Sequence, residues 1–379
     1  MKRFVLLLWL VILLVSCGKK DNNSKIEEAQ KRVKNENVEV YKNKNVPKNS
    51  QDTINFTPLF SIKNSKIGQL FKDPRAIDVD NFGNIFVADR TTIFKFDSLG
   101  NLTTQFGRRG NGPGEFMNII GIVIQKENLF VSDRDAGKIS KFTIDGKFIE
   151  TISFPNNSIP FNLHSFGEDK FVGYKLEQEV KDGKIYFDVP IALFDSNLNI
   201  LKKIFSNKKE VNPNKGFNFM DFFSFFAISE KNIFVAKNSE DVYSIDAYDG
   251  DGKILYKIQK NYRKIEYSEE ELKQMGSAGT ATDKEGNVKK IKFKAKYKKA
   301  IEALFVDKFD RIYAKTNINK KPNYIFNIFK DKEYIQNASL PNYKEISKEV
   351  MKAPILFKRG KLYTINTLGD EISVQVYSY

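Results

Sequence analysis

One cysteine, one histidine and one tryptophan in 379 residues rule out several kinds of chemistry at once. With Cys17 alone, no disulfide can form within the chain and no thiolate metal site can be built. With His164 alone, a three-histidine zinc site is excluded, and a nucleophile–base–acid set would have to rest on that single imidazole. No G-x-S-x-G elbow occurs either. The longest apolar run, Phe4–Val15, is too short to span a bilayer and suits the core of a secretory signal behind the basic pair Lys2-Arg3. Trp9 lies inside that run, so the strongest sugar-stacking side chain is lost with the signal. Stability must come from burial, and 41% apolar residues with 33 phenylalanines supply it.

Two stretches say the same thing twice. Residues 76–106 and 121–152 align so that Ile85-Phe-Val-Ala-Asp-Arg90 meets Leu129-Phe-Val-Ser-Asp-Arg134, Lys95-Phe96 meets Lys141-Phe142, and Gly100 meets Gly146. Each copy holds short alternating strands separated by Asn/Asp/Gly turns. A repeat of about 45 residues carrying about four strands is the signature of a propeller blade. Weaker copies cover 163–205, 222–259, 301–340 and 354–379, which makes six units. The last is one strand short, while Leu59–Ile62 has no unit of its own. The expected fold is therefore all-β, a six-bladed β-propeller whose last blade is closed by the N-terminal strand, with Leu59–Ile62 pairing near Ile372–Tyr377 so that no sheet edge stays open.

Leu14-Val15-Ser16-Cys17-Gly18 looks like a bacterial lipobox, in which the cysteine becomes the lipidated first residue of the mature chain. The expected organisation is a lipoprotein signal peptide over 1–16, a flexible tether over 17–52 from lipidated Cys17, and a propeller over 53–379 with insertions at 206–221 and 262–299. Tyr262–Lys299 carries a helix start at Ser268 with acids in its first turn, followed by KKIKFKAKYKK, the pattern of an exposed strand or hairpin arm. The net charge of +15 would raise the question of nucleic acid. The export signal answers against it, and a Lys/Asn/Ile/Phe-rich composition accounts for the excess.

DNFGNIFVADR (80–90), KFDSLGNL (95–102), FGRRGNGPGEF (106–116) and LFVSDRDAGKISKFTIDGKF (129–148) resemble NHL-type repeats. The whole resembles the six-bladed β-propeller lipoproteins of the Bacteroidetes type. The match is strong over 70–155 and architectural beyond. The resemblance implies an exported lipoprotein at the outer membrane, periplasmic or surface-facing. It names no substrate. Enzymes with NHL-like propellers, such as the amidating and streptogramin lyases, use several histidines, which this chain lacks.

Asp78–Asn84 resembles an acidic calcium loop, but Phe82 stands where a ligand is needed and the bidentate glutamate is missing, so a β-turn is expected. The Gly-rich 107–116 loop lacks the G-K-[ST] ending of a phosphate loop. Its Arg108 and Arg109, with Asn111 and Glu115, are candidate ligand-binding residues, the arginines for carboxylate or sulfate. Of the cluster Phe217, Phe219, Phe222, Phe223, Phe225 and Phe226, most is expected in the inter-blade core, with Phe217 and Phe219 exposed and able to stack on a ligand. The recurring pairs Asp89-Arg90 and Asp133-Arg134 are expected to be architectural, Asp fixing the turn and Arg bridging to the next blade. His164 is expected to pack within a blade's first strand. The function expected is a lipid-anchored, monomeric, non-catalytic binding or scaffold propeller for a peptide, glycan or envelope protein, without metal or cofactor. The alternative is a calcium-dependent lactonase or lyase with a carboxylate-lined channel.

Overall fold

The computed structural model describes residues 38–49, 54–68, 71–155, 158–211, 219–275, 277–282, 288–292, 296–320, 323–341, 355–366 and 371–379. Cys17 and Phe217 lie outside the described residues.

Six blades of four antiparallel strands follow one another in chain order, blade 4 carrying a fifth, parallel strand at its outer edge. Blade 1 runs from Ala76–Val79 to Leu102–Phe106, and blade 2 from Ile119–Gln125 to Phe148–Ser153. Blade 3 runs from Phe161–Phe166 to Ile200–Phe205, and blade 4 from Phe226–Ile228 to Ile254–Lys260. Blade 5 runs from Ile301–Val306 to Glu333–Ala338. Blade 6 takes three strands from Ile355–Lys358, Lys361–Asn366 and Ser373–Ser378, and its fourth from Thr57–Lys63. That closing strand pairs antiparallel with the last, Phe60 against Val376 and Ile62 against Val374, as the unassigned strand in the sequence required. Closure satisfies two edges that would otherwise invite aggregation.

The core lies between neighbouring sheets. Val79, Ile85, Val87 and Phe96 of blade 1 pack with Tyr363, Val374 and Val376 of blade 6. Phe86, Ala88 and Ile93 turn the other way, onto Ile122, Leu129 and Phe142 of blade 2. Alternate residues of one strand thus serve two interfaces, so these strands read as near-continuous apolar runs such as Ile85-Phe-Val-Ala88, buried throughout.

Successive connections in an antiparallel blade fall on opposite faces. One face, the turn face, carries only short connections built on a recurring device. Asp80 accepts from the backbone N–H groups of Phe82 (2.9 Å) and Asn84 (2.8 Å), and Asn84 Nδ2 donates to its second oxygen. Asp97, Asp195, Asp249 and Asp307 repeat the pattern with the residues two and four places on. The segment that resembled a calcium loop is therefore one copy of a structural Asx turn, with Gly83 at φ 86°, where an L side chain is strained.

Two sequence expectations need correction. The tether expected as far as residue 52 contains a strand, Glu39–Asn43, which adds in parallel to the outer strand of blade 4; its polar composition hid it, because only one side meets protein. The apolar pattern of YFDVPIALFD (186–195) reads as one strand, but it breaks at Val189-Pro190 into Lys184–Asp188 and Ile191–Phe194, since proline cannot donate to a ladder. The first piece pairs with Glu177–Lys181 and with Lys209–Val211. Blade 3 thus carries a small three-stranded sheet, which also absorbs part of the 206–221 insertion. The helix forms as read, Glu269–Met275, and Ser268 and Glu271 cap each other reciprocally, Glu271 N–H to Ser268 Oγ at 3.2 Å and Ser268 N–H to Glu271 Oε2 at 2.9 Å.

Candidate binding face and channel

The second face, opposite the turns, collects the long connections. The 107–118 loop, the 206–225 segment and the 261–300 segment each link the outer strand of one blade to the inner strand of the next. The 175–190 hairpin links the second and third strands of blade 3. All four connection types fall on this insertion face by the alternation rule.

Its parts are tied together. Lys299 Nζ pairs with Asp221 at 2.9 Å and Glu240 at 3.1 Å, joining the two large insertions to the 237–242 loop of blade 4. Asn238 donates to the Asp221 carbonyl at 3.0 Å, and Asn207 to the same carbonyl at 2.6 Å. Asn317 of blade 5 donates to Tyr262 Oη at 3.0 Å. Lys298, itself buried, pairs with Glu271 of the helix at 2.5 Å. In the same segment Ser277–Thr282 pairs antiparallel with Val288–Lys292, a hairpin that takes in the first residues of the 289–299 stretch read as a strand or hairpin arm.

The 107–116 loop is self-contained. Arg108–Arg109 pairs in parallel with Glu115–Phe116. Glu115 accepts from Arg108 Nε at 2.8 Å and from the Gly112 N–H at 2.9 Å, and these donors, the Gly112 amide first, hold its carboxyl below the ordinary glutamate range. Lys138 Nζ donates to the Asn111 and Gly112 carbonyls, both at 3.1 Å. A Cβ on Gly110 would fall 2.1 Å from Glu115 Oε2 and one on Gly107 2.8 Å from the Phe116 ring, so these glycines admit close packing. Of the four residues singled out in this loop, Arg108 and Glu115 bind each other, and Arg109 is exposed. Asn111 lines a cleft of about 520 Å³ with Gly112, Pro113, Asp135, Ala136, Lys138, Thr151 and Ser153. Phe219 opens a short 3-10 turn, Phe219–Phe222. Phe222, Phe223 and Phe226 are core residues.

Asp89 and Asp133 perform one job twice. Asp133 accepts from the N–H groups of Met117 (2.8 Å) and Asn118 (2.9 Å). Asp89 accepts from those of Lys72 (2.5 Å) and Asp73 (2.8 Å). Each carboxylate pins the chain entering its own blade. Arg134 does not bridge as expected: among the described residues its guanidinium reaches its neighbour Asp135 at 3.3 Å, not the next blade. Arg75 is the bridge instead, donating to Asn118 of the next blade at 2.7 Å and to Asp73. No sequence repeat marks it.

Inside the ring, Asp78 was passed over in the sequence as part of a turn. It is buried and joins three blades. Its oxygens accept from the Val79 N–H (2.8 Å), from the Ile124 N–H of blade 2 (2.6 Å) and from Lys358 Nζ of blade 6 (2.5 Å). His164, on the first strand of blade 3, lies edge-on to Phe226 at 5.3 Å between ring centroids. Desolvation lowers its pKa to about 4, opposed by Asp78 and assisted by Lys358. The imidazole is neutral at pH 7. Among the described residues, no three His, Cys, Asp or Glu side chains come close enough to hold a metal ion, and no helix is long and apolar enough to cross a membrane.

A closed ring of six sheets with short turns on one face and interlocked insertions on the other defines a six-bladed β-propeller. The chain belongs to the family described as 6-bladed beta-propeller, whose model matches residues 27–352. Among solved structures, it is similar to a member of the duf4221 family from Bacteroides vulgatus, at 14% identity and a TM-score of 0.49, covering 87% of this chain and 98% of that one. A Bacteroides fragilis protein named as exported is 13% identical with a TM-score of 0.45, covering 89% and 98%. Virginiamycin B lyase from Staphylococcus aureus is 14% identical with a TM-score of 0.38, covering 80% and 94%. No curated protein matches the chain significantly.

Proposed function

We propose that this protein is a lipid-anchored, non-catalytic binding propeller of the cell envelope that holds a peptide, a glycan or another envelope protein on its insertion face. The observation that carries the reading is the one-sidedness of the elaboration. The 107–118, 175–190, 206–225 and 261–300 connections all open on the same face, and Lys299 locks two insertions and a blade loop into one surface. Loops gathered on a rigid scaffold are where binding residues concentrate. Arg109, exposed and two positions from the cleft-lining Asn111, would meet a carboxylate or sulfate group. Cys17 supplies the anchor.

The alternative of a calcium-dependent lactonase or lyase gains no support from the described residues: Asp78 already holds two amides and a lysine. The test is photocrosslinking in intact envelopes, with the reactive residue at Arg109 or Gln178 on the insertion face, or at Leu99 on the turn face. Discrete adducts from the first two positions and none from the third are expected. Equal labelling from both faces would sink the reading.

A further inference from the structure

The turn face has a patch that the binding reading leaves unused. Most turns there end in polar residues, but Phe82 and Leu99 of blade 1 and Phe309 of blade 5 project apolar side chains that are 71%, 75% and 46% exposed. These are not scattered singly. Lys308 Nζ stands over the Phe309 ring at 4.8 Å and lies so close to blade 6 that a Cβ on Gly360 would meet it at 2.6 Å. Next to Gly360, exposed Arg359 reaches Asn81 Oδ1 at 3.4 Å, and Asn81 precedes Phe82. Ser98, beside Leu99, touches the Gly83 side of the same turn. The line Phe309, Lys308, Arg359, Phe82, Leu99 is therefore continuous across blades 5, 6 and 1. Its apolar tips stand on either side of two exposed cations, with exposed Asp310 the acid beside Phe309.

The route of the chain supplies the second observation. Glu39–Asn43 runs parallel to the outer strand of blade 4, with Glu39 opposite Tyr256 and Asn43 opposite Lys260. That outer strand begins at Ile254, directly after the 249–253 turn. The chain preceding residue 39 thus leaves from the end of the strand nearest the turn face. Whatever their conformation, the residues between Cys17 and Val38 reach at most about 75 Å, so an anchored propeller stays close to the bilayer, and its tether joins it on the turn-face side.

We propose that the turn face over blades 5, 6 and 1 docks on the bilayer surface, Phe82, Leu99 and Phe309 entering the interfacial layer and Lys308 and Arg359 meeting anionic lipid phosphates. Exposed aromatic and aliphatic tips beside cations are what an interfacial contact requires, because burial of apolar area and attraction to anionic headgroups add. Docking orients the molecule: the insertion face points away from the membrane, open to its ligand. Weak contacts suffice, since the anchor makes the encounter intramolecular.

The full chain, lipidated at Cys17, can be reconstituted on vesicles of phosphatidylethanolamine and phosphatidylglycerol carrying a lipid-phase quencher. A single cysteine is introduced for a fluorophore at Ser98 (S98C) or, on the insertion face, at Arg109 (R109C). The expected result is quenching at position 98 and none at 109, with the signal at 98 falling at least about threefold in the F82S/F309S double variant. Vesicle flotation, which reports the anchor, should stay unchanged in that variant. Equal quenching at both positions, or quenching at 98 that ignores the double substitution, would overturn the docking. So would a signal at 98 that appears only when a second envelope protein is added, since that assigns the patch to a protein. A chain that does not float would overturn anchor and docking together.

Discussion

At the scale of single residues, the chemistry of this protein is mostly used for construction. His164 is neutral because protein surrounds it and Lys358 is near, and its pKa falls to about 4 against an ordinary 6.5. A folded-state value below the unfolded one means that the unfolded chain binds the extra proton. Stability from this residue is complete above pH 6.5 and is lost as pH falls toward 4, by up to about 3 kcal/mol. Urea unfolding of H164Q should lack that portion of the acid sensitivity; an unchanged pH profile would show that the histidine is solvated. The Asp-Arg pairs give a sharper contrast. Removing the Asp133 carboxylate strands the buried Asn118 amide and the part-buried Met117 amide, so D133A should cost about 2–4 kcal/mol, whereas R134A should change stability by less than about 0.5 kcal/mol. The repeated dipeptide announced a structural role for both members. Only the aspartate has it, because the arginine's reach depends on what the next blade offers.

At the scale of elements, the repeat made strands legible where both faces of a sheet are covered, as in Ile85–Ala88 and Leu129–Val131, and where Asx turns bound them. It missed Glu39–Asn43 for an equally physical reason. That strand pairs along one edge, its side chains show no apolar period, and no local signal separates it from a linker. Its hold is specific. Asn43 donates to the Gln259 and Lys332 carbonyls at 3.3 and 3.1 Å and accepts from the Tyr334 N–H at 2.8 Å, clasping blades 4 and 5. Lys48 and Asn49 then donate their N–H groups to Tyr334 and Ile335 of blade 5. N43A should therefore lower stability by about 2 kcal/mol in chemical denaturation and speed exchange of the amides near Tyr334. Protection unaffected by the change would mean that the strand adds nothing. The hairpin at Glu177–Asp188 was hidden by the opposite error: its apolar residues ran on into the next strand, and only Pro190 marked the break.

At the scale of the whole molecule, closure and sidedness decide behaviour. Deleting Thr57–Lys63 should leave the Ser373–Ser378 strand as a bare apolar edge. The product should aggregate rather than form a stable five-and-a-half-bladed monomer; a monodisperse product in light scattering would contradict this account of closure. Sidedness separates the two surfaces, one made of turns and proposed to meet lipid, the other of insertions and proposed to meet a ligand, and the crosslinking and quenching experiments read them independently.

Blade number, the closing strand and the capped helix were determined by sequence alone, because each rests on local periodicity, turn chemistry and the need to cover an edge. What the tertiary structure decided was which residues meet across blades. Asp78 with Ile124 and Lys358, Lys299 with Asp221 and Glu240, and Arg359 with Asn81 are separated by tens to hundreds of positions along the chain. No local pattern encodes those meetings; they follow only once six twisted sheets have closed into a ring.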